Sequence, residues 1–106
     1  GGAIAYLVGK ENGGMAAMFT MMKQARRGVG LQGVGIADRA YQRALAYALE
    51  RKQGKALGSQ NTGSDPIIMY PDVKRNLMLM RGMTAAARTI CYATAGAIDV
   101  SHRASD

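Results

Sequence analysis

Two long segments of the chain repeat apolar or small residues at the three- and four-residue steps of an amphipathic helix. In the first segment these positions are Met15, Phe19, Met22, Val29, Gly33, Ile36, Ala40, Ala44 and Tyr47. In the second segment they are Val73, Leu77, Met80, Thr84, Ala87, Cys91, Thr94 and Ile98. The pattern predicts helices over about residues 14–52 and 70–102, the first of them roughly 55–60 Å long at 1.5 Å per residue.

The residues between the two patterns, about 53–69, contain many glycines and polar residues and predict a mobile connector. Asn12, followed by two glycines, is the predicted cap of the first helix. Pro71 suits the first turn of the second helix, where Asp72 lies beside the positive end of the dipole. We expect an all-α fold of two long antiparallel helices. Methionine clusters extend around more of each helix than one neighbour covers, which predicts half of an up-and-down four-helix bundle.

The amino-terminal residues 3–8 alternate in the manner of a β-strand, although no partner strand follows them. Because a lone strand is not stable, this short strand remnant implies a sheet that the sequence does not contain.

The positive charge of the chain is compatible with several kinds of binding partner. The net charge is +7, and the basic residues are spread along both helices without interleaved aromatic residues. A solvated basic face, attraction for anionic cofactors such as CoA phosphates or a flavin diphosphate, and nucleic-acid binding all fit, although no docking motif supports the last. No run of 18 apolar residues predicts a membrane span.

The nucleophiles and possible ligands are sparse. Cys91 is the single cysteine, which excludes a disulfide framework and predicts a reducing, cytoplasmic location. His102 follows about 16 Å further along the same helix, too far away for a Cys/His catalytic pair. The seven carboxylates are scattered, so the sequence predicts no acid/base pair and no metal site.

Residues 28–33, GVGLQG, match the GxGxxG pattern of dinucleotide-binding proteins. That pattern binds phosphates only where it joins a strand to a helix, and here it lies within an amphipathic helix. We therefore expect these glycines to allow close approach of another helix or a ligand, at a cost of up to about 1 kcal/mol each in helix propensity.

The whole chain resembles the acyl-CoA dehydrogenase family. The resemblance covers AIAYLVGKENGGMAAMF at the start of the chain and IIMYPDVKRNLMLMR at the second helix, and its most specific segments are MFTMMKQAR and YALERKQG in the first helix. It implies that residues 1–12 end the family's middle β-domain. Residues 13–106 would then form part of its carboxyl-terminal helical bundle.

The resemblance also implies candidate binding residues. Arg26 falls where the family places a helix arginine beside the acyl-CoA thioester, and Met22, Ala25 and Val29 would line the acyl pocket. Arg51 falls in the family's R-x-Q/T-F-G motif, which contacts the FAD diphosphate of a neighbouring subunit, with Gln53 as its polar companion. A guanidinium suits a diphosphate, although Arg51 could instead stabilise a helix carboxyl terminus by about 0.5 kcal/mol.

The sequence departs from the family at two places. Gly54 follows Gln53 directly, so the motif's phenylalanine is absent. Some members carry the catalytic glutamate immediately before the arginine, and that position here is Ala25. The resemblance therefore implies a base beyond Asp106, and no catalytic residue within this chain.

The resemblance implies a flavin-dependent enzyme that desaturates acyl-CoA thioesters, forms homo-oligomers and passes electrons to a partner protein. This chain would be an inactive fragment of it. An alternative is a non-catalytic binding or scaffold module of the same family, with possible DNA binding through the basic surface. A stand-alone hairpin with a coincidental alanine-rich pattern would not also place Arg26 and the Arg51 motif in register.

Overall fold

The computed structural model describes residues 1–104 of the chain. Helix α1 (Gly14–Glu50) and helix α2 (Pro71–Arg103) are joined by a loop that contains one 3₁₀ turn, Ile67–Met69. The helices are antiparallel, because residues 30 and 38 of α1 lie beside residues 91 and 88 of α2. The predicted all-α fold is confirmed. Neither helix has a stretch that is long and apolar enough to cross a membrane.

The starts of the two helices differ in how well they were predicted. Helix α2 begins at Pro71 with Asp72 in its first turn, as predicted. The prediction of Asn12 as the cap of α1 is wrong, because Gly13 is the capping residue and no side chain caps the helix. Asn12 instead has a φ of 62°, a left-handed conformation that asparagine tolerates, in the turn where the Gly13 amide donates to the Lys10 carbonyl.

The predicted strand over residues 3–8 is not formed. These residues have no regular secondary structure and are exposed. A strand requires a hydrogen-bonded partner, and residues 3–8 have none in the described chain. The one β-type pairing within residues 1–104 is the bridge between Lys52 and Pro66. The assignment of residues 1–12 to a preceding β-domain stays a prediction.

The face of α2 that contacts α1 was predicted correctly. Leu77 and Thr84 are buried, and most of the other predicted positions are half-buried. The Thr84 hydroxyl donates to the Met80 carbonyl at 2.7 Å, so this buried polar group is satisfied within the helix. The exception is Thr94, which is exposed while Ala95 is half-buried in its place.

The predicted interior face of α1 is wrong by about one residue, or about 100° around the helix. Val34 and Ala48 are its buried residues, whereas Val29, Ile36 and Tyr47 are 65%, 71% and 59% exposed. The helix therefore carries two apolar faces. The one built around Val34 and Ala48 contacts α2. The one that the sequence pattern detected is largely uncovered within residues 1–104, although Met22 and Ala44 are half-buried. We call this uncovered surface the second face of α1.

Candidate functional site

Arg26 lies in an open groove between the first half of α1 and the end of α2. The groove has a volume of about 560 Å³. Helix α1 supplies the cationic side chains Lys23, Arg26 and Arg27, and α2 supplies Ile98 and His102 among others. Because α1 and α2 run in opposite directions, the start of one helix meets the end of the other, and this brings His102 beside Arg26. No carboxylate is among the residues that line the groove.

The predicted acyl-pocket residues share one side of α1. Met22, Ala25, Arg26 and Val29 follow the i, i+3, i+4, i+7 spacing of a single helix face. Met22 is half-buried and the other three are exposed. Of the four, only Arg26 lines the groove with α2. The three apolar residues belong to the second face of α1, so the described chain provides one wall for them and no opposite wall.

The glycine-rich segment of α1 is continuous helix, which excludes a phosphate-binding turn there. A Cβ atom on Gly30 would lie 3.8 Å from the Cys91 sulfur, so α2 does approach the helix at this glycine. Positions 28, 33 and 35 have nothing within 4 Å of such an atom in the described chain. Of the four glycines, Gly30 therefore faces the other helix, and Cys91 is the side chain packed against it.

Arg51 ends helix α1, and its backbone is held on both sides. Its amide donates to the Tyr47 carbonyl at 2.8 Å, and its carbonyl accepts from the Ile67 amide at 2.8 Å. The side chain is exposed, and Lys52 lies next to it in the same shallow cavity. Glu50 lines the same cavity. It forms no salt bridge with Arg51, because the salt bridge in residues 1–104 joins Arg88 to Asp38.

Gln53 is fixed in the same way. Its amide donates to the Asp65 carbonyl at 3.0 Å, and its carbonyl accepts from the Tyr70 hydroxyl at 2.7 Å. Gly54 follows with a φ of 62°, and a Cβ atom there would lie 2.9 Å from the Tyr70 hydroxyl. A glycine at position 54 therefore suits both the left-handed backbone conformation and the limited space beside Tyr70. The Gln53 side chain remains exposed.

Asp65 organises the loop between the helices and was not predicted from the sequence. Its side chain is fully buried, accepts from the Ala56 amide at 2.8 Å and accepts from the Asn61 side chain. Hydrogen bonds from Ser59, and then from Asn61 and the Ala56 amide, hold the pKa of Asp65 below its ordinary value. The connector that the sequence predicts to be mobile therefore contains a buried, hydrogen-bonded carboxylate, and its mobility stays a prediction. An aspartate before a proline in a polar loop was the available signal.

A second unpredicted group fixes the register of the two helices. The Arg88 guanidinium lies 3.2 Å from one oxygen of Asp38, and Gln42 donates to the other oxygen at 2.8 Å. Both charged side chains are partly exposed, so the pair contributes more to register than to stability. No group of three or more potential metal ligands occurs within the described residues.

Arg26 lies in the first half of α1, and Arg51 directly follows its last residue. Arg26 and Arg51 are separated by about 37 Å along the helix at 1.5 Å per residue. Because the helix is uninterrupted from Gly14 to Glu50, this separation is rigid. The two residues therefore cannot contact the same small group.

Comparison with known proteins identifies sequences that are similar to this chain. Residues 12–106 match the model of the acyl-CoA dehydrogenase C-terminal domain. A 3-methylmercaptopropionyl-CoA dehydrogenase of Ruegeria pomeroyi is 48% identical over 99 residues, which are 93% of this chain and 17% of the relative. A butyryl-CoA dehydrogenase of Syntrophomonas wolfei is 36% identical over 92 residues, which are 87% of this chain and 15% of the relative.

A broad-specificity linear acyl-CoA dehydrogenase of Mycobacterium tuberculosis is 34% identical over 93 residues, which are 85% of this chain and 15% of the relative. The chain thus spans 15% to 17% of the length of these three relatives. No solved structure matches the chain significantly. The family match covers both helices and the loop between them in full, and this chain belongs to the acyl-CoA dehydrogenase family, within its C-terminal domain.

Proposed function

We propose that this chain is a fragment of a flavin-dependent acyl-CoA dehydrogenase and supplies part of the acyl pocket and of a flavin contact. The observation that carries the proposal is the arrangement of α1. Arg26 is exposed in a groove free of carboxylates, and the apolar residues Met22, Ala25 and Val29 adjoin it on the uncovered side of the helix. An exposed cation beside an apolar wall suits a thioester, whose carbonyl oxygen is polar and whose acyl chain is apolar.

The residues at the other end of α1 fit a diphosphate. Arg51, Lys52 and Lys55 place three exposed cations within five positions, and the backbone that carries Arg51 is already ordered. A guanidinium can donate two parallel hydrogen bonds to phosphate oxygens, and Gln53 adds a neutral donor. The residues present therefore fit FAD, which in such enzymes accepts the hydride that leaves the acyl chain. Arg51 would hold its diphosphate, and no carboxylate that could remove a proton lies among the residues that line the groove around Arg26.

The uncovered faces support assembly into a larger helical bundle. Besides the second face of α1, helix α2 exposes Met78, Leu79 and Met83 beside an apolar groove. Such surfaces exceed what an isolated pair of helices buries, and further helices or a second subunit would cover them. We propose a homo-oligomer on this ground. The electron-transfer partner and the cytoplasmic location stay predictions.

The test is an anaerobic titration of the full-length protein that carries this chain. Acyl-CoA thioesters of increasing length should bleach the absorption of its bound flavin. Arg26→Gln should weaken this response, whereas Arg39→Gln is the matched control because Arg39 is an exposed arginine of the same helix that does not line the groove. Bound flavin that no thioester bleaches, or equal losses in both variants, would contradict the proposal.

A non-catalytic module that binds nucleic acid is the alternative. The net charge of +7 and the single salt bridge among the described residues favour it. Duplex affinity that falls steeply with salt, together with an absence of flavin, would support this function instead.

A further inference from the structure

The flavin-contact segment, which we define as residues 51–54, has five of its eight backbone N–H and C=O groups hydrogen-bonded. Its amides and carbonyls make five hydrogen bonds: Arg51 with Tyr47 and Ile67, Gln53 with Asp65 and Tyr70, and Gly54 with Asp65. A residue that leaves a helix would otherwise have a mobile backbone, because the last carbonyls of a helix have no partner within it. Here every partner beyond Tyr47 comes from residues 65–70. The second half of the loop, residues 65–70, therefore fixes the backbone of the flavin-contact segment.

Asp65 is the centre of this arrangement. Its backbone amide donates to the Gly54 carbonyl at 2.9 Å, and its carbonyl accepts from the Gln53 amide at 3.0 Å. Its carboxylate accepts from the Ala56 amide at 2.8 Å, two residues beyond the segment, and from the Asn61 side chain. One fully buried residue thus makes hydrogen bonds to the start of the loop, at residues 53–56, and to its middle, at Asn61. Tyr70 adds an independent bond, from its hydroxyl to the Gln53 carbonyl at 2.7 Å.

We propose that Asp65 and Tyr70 are positioning residues for the cofactor: they fix the backbone of the flavin-contact segment so that Arg51 and Gln53 reach the diphosphate already ordered. A segment ordered before binding does not lose conformational entropy when the ligand arrives, which increases affinity without adding a contact. Neither Asp65 nor Tyr70 needs to touch the flavin. The proposal rests on the proposed contact of Arg51 with FAD.

The test uses the full-length, FAD-containing protein and measures the FAD dissociation constant from the fluorescence of released flavin. Tyr70→Phe removes one hydroxyl and keeps the ring, and Asp65→Asn removes one acceptor and the charge. We expect each variant to raise the dissociation constant about tenfold, which corresponds to about 1.4 kcal/mol. The turnover number at saturating FAD should not change. Tyr92→Phe and Asp99→Asn are the matched controls, because both side chains are exposed and lie on α2 outside the loop.

A double-mutant cycle separates positioning from general destabilisation. In an Arg51→Gln background, the effect of Tyr70→Phe on FAD affinity should largely disappear, because the group that the tyrosine positions is gone. An unchanged effect in that background would overturn the proposal, as would normal FAD affinity in Tyr70→Phe or Asp65→Asn when Arg51→Gln is weakened. Normal affinity in Arg51→Gln itself would instead refute the proposed flavin contact, and the positioning role with it. If Asp65→Asn fails to fold, Tyr70→Phe alone decides.

Discussion

Replacement of Gly54 by alanine should open the loop more than the same replacement of Gly58. Both glycines have a positive φ, 62° and 78°, so an alanine at either position costs about 1 kcal/mol of backbone strain. They differ in their surroundings. A Cβ atom at position 54 would lie 2.9 Å from the Tyr70 hydroxyl, whereas nothing lies within 4 Å of one at position 58.

The extra cost at Gly54 comes from one hydrogen bond. The tyrosine must move to admit the methyl group, and it then loses its 2.7 Å bond to the Gln53 carbonyl. A hydrogen bond of this kind contributes about 1 kcal/mol, so Gly54→Ala should cost about 2 kcal/mol and Gly58→Ala about 1 kcal/mol. The difference corresponds to roughly a fivefold change in the equilibrium for loop opening.

Hydrogen exchange measured by mass spectrometry on peptides that cover residues 51–67 reports this opening directly. The amides of Gln53, Ala56 and Asp65 are the relevant probes, because each donates a hydrogen bond within the loop. Gly54→Ala should accelerate their exchange about fivefold more than Gly58→Ala does. In a Tyr70→Phe background this excess should vanish. Equal acceleration in the two variants, or an excess that persists without the hydroxyl, would refute the reasoning.

Three further predictions concern the loop, the helix pair and the uncovered faces. Because its folded-state pKa is lowered, Asp65 stabilises the loop above about pH 4, and this contribution should be lost as the pH falls through the lowered pKa. Hydrogen exchange in the loop should therefore become faster at low pH, beyond the intrinsic pH effect, and Asp65→Asn should not show this change. A double-mutant cycle on Asp38 and Arg88 in urea unfolding should give a coupling of only about 0.5 kcal/mol that decreases with salt, because both side chains are partly exposed. Leu77→Ala should lower the free energy of unfolding by about 2–4 kcal/mol, because Leu77 is buried. Met78 is 73% exposed, so Met78→Ala should lower the melting temperature of the full-length protein as much as Leu77→Ala does only if further helices cover it.

The contrast between the two helices shows what hydrophobic periodicity can and cannot establish. On α2 the apolar pattern and the contact with α1 coincide, and Leu77 and Thr84 were placed correctly. On α1 the strongest pattern marks the second face, because bulky residues such as Ile36 face away from α2 while the contact itself uses small ones such as Ala48. Periodicity finds apolar faces, but the choice of the face that meets a given neighbour depends on packing that the pattern does not contain.

The candidate site divides in the same way. Arg26 and Arg51 became candidates through the family resemblance, which depends on short segments of sequence, and their roles stay proposals. The hydrogen bonds that order the backbone beside Arg51 could not be predicted from the sequence, because Asp65 and Tyr70 approach residues 53 and 54 only when the loop has folded. The residues of α2 that line the groove with Arg26 could not be predicted either, because His102 comes beside Arg26 only through the antiparallel pairing of the helices. Long-range partners of this kind depend on tertiary structure.

The distance between the two arginines decides how such an enzyme must assemble. Hydride transfer requires the flavin ring to contact the acyl chain, and a single ribityl chain, far shorter than the roughly 37 Å from Arg26 to Arg51, joins that ring to the diphosphate. On the proposed function, Arg26 therefore serves one active site and Arg51 another. Arg26→Gln and Arg51→Gln subunits would each be defective alone, yet a mixed oligomer of the two would contain one site with both defects and one with neither. Mixing the two variants should restore activity, and if it never does, both arginines act in the same subunit's site or Arg51 has no part in flavin binding.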